Sequence, residues 1–387
     1  MNHSITRRQF IASAGGAGCA LAWGGAMALP AYSAEDEGML PLTKEVSTHE
    51  ALHYEKVEDL KILCQLCPKE CQVADGERGY CGVRENHQGI YHTLVYGRPC
   101  TLHIDPIEKK PLFHYRPGTA AFSLATAGCN MECSFCQNWD ISQFRPEQIQ
   151  MFDLPPARTA KLAADSQSPT IAYTYSEPVI YYEYMLDTAQ AARELGVGSV
   201  MISNGFIQEK PLRQLLRQLT GVKIDFKGFT ESFYKDSCKG ELQPVLRALE
   251  VIREEKVWLE LVVLIIPTLN DSDAENQGMA KWIQEHLGLD VPVHLTRFSP
   301  NYKLKNIPAT PVKTLERLAK IMRGEGLRYV YIGNVPGHPA ENTLCPQCGE
   351  MVIRRLGFRS SLEGLEKGCC KKCKTPIPGV WEDPLKA

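Results

Sequence analysis

An α/β fold built on a partial parallel barrel, flanked by a small four-cysteine module on either side, is what this sequence predicts. Two patterns carry the prediction. Past Pro117 short apolar runs alternate with amphipathic stretches, the mark of successive parallel βα units. Eleven of the fifteen cysteines fall into three tight clusters, and such short intervals suit a shared metal centre better than a disulfide network. Composition sets the outer limits. With 44% apolar and 23% charged residues over 387 positions, the chain can bury an ordinary globular core. A net charge of -2 gives no reason to expect nucleic acid or an anionic membrane surface as a partner.

In chain order, Thr6-Arg7-Arg8-Gln9-Phe10-Ile11 and the Ala- and Gly-rich run from Ala12 to about Ala31 have the form of a twin-arginine (Tat) leader. The run is short for a stable membrane span, so residues 1–34 are expected to be a signal peptide cleaved near Ala28 to Ala34. Tat export carries folded cargo, and the expected location is the periplasm or cell envelope, or the cytoplasm if the leader is not used. No transmembrane span is expected after its removal.

Residues 35–116 are expected to hold a polar linker, to about Glu58, and then a metal module. Cys64-Gln-Leu-Cys67-Pro-Lys-Glu-Cys71 is followed, after a turn-rich stretch, by Cys81-Gly-Val-Arg84. Four thiolates beside Pro and Gly make a knuckle for zinc or an iron–sulfur cluster, and spacing does not separate the two metals. Positions 95–104 are expected as a strand, and 105–114 as a loop into the core.

Residues 117–335 form the predicted barrel, with strands expected at 121–127, 170–174, 199–203, 222–226, 258–266, 291–298 and 328–332. Helices are expected at 179–195, 211–219, 244–254, 274–287 and 312–325. Barrels of this kind place their chemistry at the C-terminal ends of the strands. The unusual residues fall there: Cys129, Cys133 and Cys136 after the first strand, Glu177 after the second, Ser203 and Asn204 after the third, Asp225 and Lys227 after the fourth. Three thiolates in one loop leave a metal position open, since a closed site takes four ligands.

Residues 336–387 carry Cys345-Pro-Gln-Cys348 and Cys370-Lys-Lys-Cys373, a pair of C-x2-C knuckles expected as a zinc ribbon, with a rubredoxin-like iron as the alternative.

These residues together resemble a known family. Cys129-x3-Cys133-x2-Cys136 with Phe135 before the last cysteine is similar to the radical S-adenosylmethionine (SAM) superfamily. The Cys-x2-Cys-Pro-x2-Cys start, Cys81-Gly-Val-Arg84, Cys136-Gln-Asn-Trp139, Tyr173 to Pro178, Lys223 to Gly228 and Gly333 to His338 resemble the radical enzyme of the AmmeMemoRadiSam system. That enzyme is similar to pyruvate formate-lyase activating enzyme. The resemblance implies a (β/α)6-type barrel holding a [4Fe-4S] cluster on Cys129, Cys133 and Cys136, with SAM on the open iron. It further implies reductive cleavage of SAM to methionine and a 5'-deoxyadenosyl radical that abstracts hydrogen. An electron donor such as a flavodoxin or ferredoxin and a protein substrate, as for a glycyl-radical activase, are implied as partners.

By the same resemblance Glu177 holds the ammonium group of SAM, Asp225 and Lys227 contact SAM, and Phe135 lies beside the adenine. Plainer readings stand beside these. Glu177 could be a helix-start carboxylate favoured by the dipole, Ser203-Asn204-Gly205 a cap and turn, and Phe135 core. Where the family has His, this chain has Ser299, in Arg297-Phe298-Ser299-Pro300, which keeps a hydrogen bond and loses the ring. His294 and His338 are the nearby candidates to compensate. The competing function class is a non-catalytic metal or electron-transfer protein using three thiolate sites, which has no need of charges at strand ends.

Overall fold

The computed structural model describes residues 40–386, so the expected leader lies outside the described residues. Its centre is an eight-stranded sheet. Strand β1 (Thr101–Pro106) runs antiparallel to β2 (Ala120–Ala125). From β2 the sheet continues in parallel through β3 (Thr170–Tyr173), β4 (Gly198–Ser203), β5 (Gly221–Asp225), β6 (Trp258–Ile265), β7 (Val293–Arg297) and β8 (Val330–Gly333), each paired with its neighbour in sequence. Strands β1 and β8 stay at the two edges, so the sheet is open rather than closed into a ring.

Helices α1 (Pro156–Asp165), α2 (Tyr182–Glu194), α3 (Glu209–Leu216), α4 (Leu242–Glu254), α5 (Asp273–His286) and α6 (Val312–Gly324) connect the parallel strands. Six βα units and a last strand make the partial barrel expected from the alternating pattern. Strands covered on both faces lose their period: all of Thr170-Ile-Ala-Tyr173 and all of β4 are buried. The helices keep theirs. In α4 the apolar face is Val245, Leu246, Ala248, Leu249, Val251 and Ile252, and in α5 Ser272 caps the first turn by accepting from the Glu275 N–H. Helix α1 was not expected from the sequence, because its buried face is Thr159, Ala160 and Ala163, too small to stand out as an apolar stripe.

Expectation and structure differ before the sheet. The stretch expected as a polar linker is pinned, from residue 40 on, by strand pairs: Leu42–Thr43 with Met151–Phe152, His49–Glu50 with Ile90–Thr93, and Tyr54–Lys56 with Ile62–Cys64. Short strands of two or three residues carry too little pattern to be read in advance. The expected strand at 95–104 starts later, at Thr101, and joins the main sheet as β1.

Arg84 fastens the N-terminal module to the barrel. Its guanidinium is 1% exposed and forks onto Glu183 of α2 at 2.6 and 3.0 Å, while its Nε donates to the Ile180 carbonyl. Glu183 also accepts from the Leu52 N–H. A buried pair of this kind holds its geometry because either charge alone would be stranded in the core.

At the other end, Thr343–Leu344, Met351–Leu356 and Arg359–Ser361 form a three-stranded sheet, followed by the two-stranded ladder Leu365–Glu366 with Cys369–Cys370. Buried Arg355 clamps this module to the barrel: it donates to the Phe113 carbonyl and stacks on the Phe113 ring. No helix among the described residues is long and apolar enough to cross a membrane.

Candidate active site and metal centres

The three-cysteine loop leaves β2 through Gly128, which needs its missing side chain. Its φ is +95°, and a Cβ there would lie 2.6 Å from Val83 Cγ1 and 2.9 Å from the Cys81 carbonyl oxygen. The far side of the loop is tied to the turn that ends at Cys238. The Glu132 N–H donates to the Cys238 carbonyl and the Ser134 N–H to the Ser237 carbonyl.

These ties aim the thiols into one cavity of about 740 Å³ at the C-terminal ends of the strands. Cys129, Cys133, Phe135 and Cys136 line it from the loop, and Glu177, Asn204, Asp225 and Lys227 from the next three strand ends. Gly333 and Asn334 close it from β8, so the first and last parallel strands face the same space. An open sheet does this only by curling, which is the sense in which the barrel is partial.

Glu177 is buried in a net of donors. Its carboxylate accepts from the Ser203 hydroxyl at 2.6 Å, the Asn204 N–H at 2.8 Å and the Val179 N–H at 3.1 Å. Burial nonetheless pushes its carboxyl up to about 7, with those donors and Lys227 pulling the other way. Ser203-Asn204 turns the chain, as its plainer reading has it, since Ser203 Oγ accepts from the Gly205 N–H, and the pair also holds Glu177.

Asp225 lies between two lysines. Lys223 Nζ sits 2.5 Å from one oxygen and Lys227 Nζ 3.2 Å from the other. Burial opposes ionisation, but the two ammonium groups hold Asp225 down to about 2. Lys223 was missed in the sequence although its signal was present. It stands two residues before Asp225 on the strand, so the period of two places Lys223, Asp225 and Lys227 on one face.

A second lysine was missed outright. Lys110, in the loop after β1, lines the cavity and pairs with Asp105, which also accepts from the Tyr175 hydroxyl. Burial lowers Lys110 to about 8. Nothing in a Lys-Lys-Pro loop marks it, because only the curl of the sheet brings β1 to the same space.

The thiols are not equivalent. Burial pushes Cys129 and Cys136 up, whereas Cys133 is drawn below its ordinary value by the buried Cys238 thiol, against burial and with help from Lys227. The Met131 N–H donates to Cys129 Sγ at 3.4 Å, and Cys136 Sγ lies 3.2 Å from Ser142 Oγ. Phe135 lines the cavity with its ring 5.9 Å from that of Phe233. Ser299 is not brought in: it is exposed and does not line the cavity. His294 reaches the cavity but is engaged by the Glu260 carboxylate at 2.8 Å, and His338 faces Glu316.

The C-terminal quartet is compact. The sulfur atoms of Cys345 and Cys373 are 3.5 Å apart, those of Cys348 and Cys370 3.8 Å, and all four lie within 4.8 Å of one another. Tetrahedral zinc–thiolate bonds imply a sulfur–sulfur separation of about 3.8 Å. That spacing suits a closed four-thiolate site. The loop trio offers three soft donors in the same cavity as the Glu177 carboxylate, a set that fits a cluster held by three thiolates with a place left for SAM.

A family model described as the radical SAM superfamily matches residues 123–277. An uncharacterized protein of Methanocaldococcus jannaschii is 45% identical over 330 residues, 85% of this chain and 98% of that protein. Another from the same organism is 23% identical over 254 residues, 63% of this chain and 68% of its own length. Among solved structures, a domain of pyruvate-formate lyase-activating enzyme from Bacteroides vulgatus aligns with a TM-score of 0.38 at 13% identity, over 42% of this chain and 98% of that one. A radical SAM methyltransferase from Sphaerobacter thermophilus aligns with a TM-score of 0.44 at 16% identity, over 56% and 67%. Scores this low carry nothing about activity. The matched segment contains every strand end that supplies Cys129 to Cys136, Glu177, Asn204, Asp225 and Lys227, and the chain belongs to the radical SAM superfamily, as an enzyme of SAM-dependent radical chemistry with a [4Fe-4S] cluster.

Proposed function

We propose that the protein is a radical SAM oxidoreductase similar to pyruvate formate-lyase activating enzyme and to the radical enzyme of the AmmeMemoRadiSam system, acting on a protein substrate. One observation carries the reading: the cysteine loop shares its cavity with an acid poised near neutrality and a Lys223-Asp225-Lys227 ladder. A carrier of electrons alone has no use for such a set. When bound, the cluster and SAM supply the radical that removes a hydrogen atom.

The chain's own residues then have definable tasks. Glu177 accepts the ammonium group of SAM, a charge-assisted contact inside a dry site. Asp225 and its lysines supply fixed charges for the polar parts of the same molecule, already paired so that no reorganisation is needed on binding. Phe135 offers an apolar wall for a base.

Support for a macromolecular substrate comes from the mouth. Gly357 and Phe358, at the tip of the C-terminal hairpin, line the cavity, and Phe358 is 55% exposed beside Leu356 at 71%. Apolar side chains left exposed at a cavity's rim suit a docking peptide. The compact C-terminal quartet is read as a zinc ribbon that holds this hairpin, and a flavodoxin or ferredoxin as the electron donor.

The test is anaerobic reconstitution with iron and sulfide, then dithionite and SAM. 5'-Deoxyadenosine should accumulate, and should vanish in Cys133→Ala with the C-terminal zinc retained. An intact cluster that yields none would overturn the reading. We also propose export of the folded protein through the twin-arginine route to the periplasm or cell envelope. Changing Arg7 and Arg8 to Lys should retain it in the cytoplasm, and unchanged localisation would refute export.

A further inference from the structure

The N-terminal quartet touches the catalytic loop, which its separation in sequence gave no reason to expect. The Cys81 carbonyl and Val83 fill the space that a side chain on Gly128 would need, one residue before Cys129. Tyr80 donates its hydroxyl hydrogen to Glu132 at 2.6 Å, and Lys69 Nζ donates to the Lys239 carbonyl, beside Cys238. Asn130, the residue after Cys129, lines the small void enclosed by Cys64, Cys67, Cys71 and Cys81. On its other side Asn130 accepts from the Asn204 side chain, which lines the catalytic cavity. Two hydrogen-bonded side chains, Asn130 and Asn204, span from the one cavity to the other.

One feature of the quartet points to a cluster, and it is Tyr91. The residue is wholly buried and lines the same void, and its hydroxyl has no hydrogen-bond partner among the described residues. That hydroxyl points past Gly79, where an added Cβ would lie 2.4 Å from Tyr91 Oη and 3.8 Å from Cys71 Sγ. A buried donor without an acceptor is costly. Zinc adds no acceptor atom to the void, but the inorganic sulfides of an iron–sulfur core do. The Tyr80 N–H, 3.4 Å from Cys71 Sγ, adds an amide donor of the kind that Met131 gives Cys129. Close by, Arg84 brings a buried positive charge to a set of four thiolates.

We propose that Cys64, Cys67, Cys71 and Cys81 hold a second [4Fe-4S] cluster, hydrogen-bonded by Tyr91, which delivers single electrons to the catalytic loop across Asn130. The delivery step rests on the catalytic reading above, while the site itself does not. An external low-potential donor, of the flavodoxin or ferredoxin class, gives one electron to the N-terminal cluster. Passage of that electron reoxidises the N-terminal cluster and reduces the catalytic one by the same single charge, with no proton or bond change at the quartet.

The experiment uses the full chain with Cys129, Cys133 and Cys136 all changed to Ala, reconstituted anaerobically, so that the catalytic reading plays no part. About four iron and four sulfide per chain should remain, with about one zinc, and dithionite should elicit a [4Fe-4S] EPR signal. Two zinc and no iron, or no metal at the quartet, overturns the proposal. Because that variant could fail to fold, Cys67→Ala/Cys81→Ala is made in the otherwise native chain. It should lose about half of the bound iron and sulfide. Retention of all the iron overturns the site. The same variant should lose the fast phase of catalytic-cluster reduction by a reduced ferredoxin, and an unchanged rate overturns the electron-delivery step. Tyr91→Phe should keep the iron and shift the second cluster's midpoint potential to a more negative value, because a donor to sulfur favours the reduced form. An unmoved potential overturns the assignment of the hydroxyl.

Discussion

Replacing Glu177 by Gln isolates a charge whose environment is fully defined. The carboxylate is 3% exposed and takes three hydrogen bonds, yet burial lifts its titration from an ordinary 4.5 to about 7. Keeping it ionised there costs roughly 3 kcal/mol relative to a solvated glutamate. The sign follows from linkage. The folded state holds the proton to higher pH than the unfolded chain, so this residue's contribution to stability is complete below about pH 4.5 and is lost as pH rises through about 7. The Gln variant should lack that slope. Binding runs the opposite way, because only the carboxylate attracts an ammonium group: SAM affinity of the native protein should improve by up to about tenfold per pH unit toward 7 and then level off. Gln keeps an oxygen for Ser203 and Val179 but sets an NH2 against the Asn204 N–H. Loss of a charge-assisted contact worth about 1.5–3 kcal/mol should weaken SAM roughly ten- to hundredfold and flatten the pH profile. Equilibrium dialysis with labelled SAM on reconstituted protein, from pH 5 to 8, measures both effects. A Gln variant that binds within about twofold of the native protein, or that keeps the pH slope, would refute the role assigned to Glu177.

Other perturbations test the frame around the site. Gly128→Ala should lower stability by at least about 2 kcal/mol, as a fall in Tm, since both its φ and the Cys81 and Val83 contacts oppose a side chain. An unchanged Tm would show that the two modules do not meet as described. Glu183→Gln leaves Arg84 buried without its counter-charge and should cost about 3–5 kcal/mol in urea unfolding, against less than about 1 kcal/mol if the pair were a surface one. Cys348→Ser should release about one zinc per chain, measured by a chromogenic chelator, while 5'-deoxyadenosine formation without substrate persists. Loss of both together would mean that the C-terminal quartet is no separate structural centre.

The sequence alone determined the parallel βα series, because buried strands and amphipathic helices leave periods that survive in one dimension. It also determined the three cysteine clusters and, by position at strand ends, Glu177, Asn204, Asp225 and Lys227. Lys223 was readable from the same alternation as Asp225 and was overlooked. What only the tertiary structure decided depends on contacts between distant segments. The curl of the sheet brings Lys110 to the cavity wall, while the turn after β7 leaves Ser299 outside it. The close spacing of the C-terminal thiols is invisible in two C-x2-C intervals, since the intervals do not fix where one knuckle lies against the other. The approach of Cys81 to Gly128, with Asn130 lining one void and bonded into the other, joins residues roughly fifty positions apart. Spacing along the chain sets which ligands can share a metal, but only the packing of one module on another decides which metals can exchange an electron.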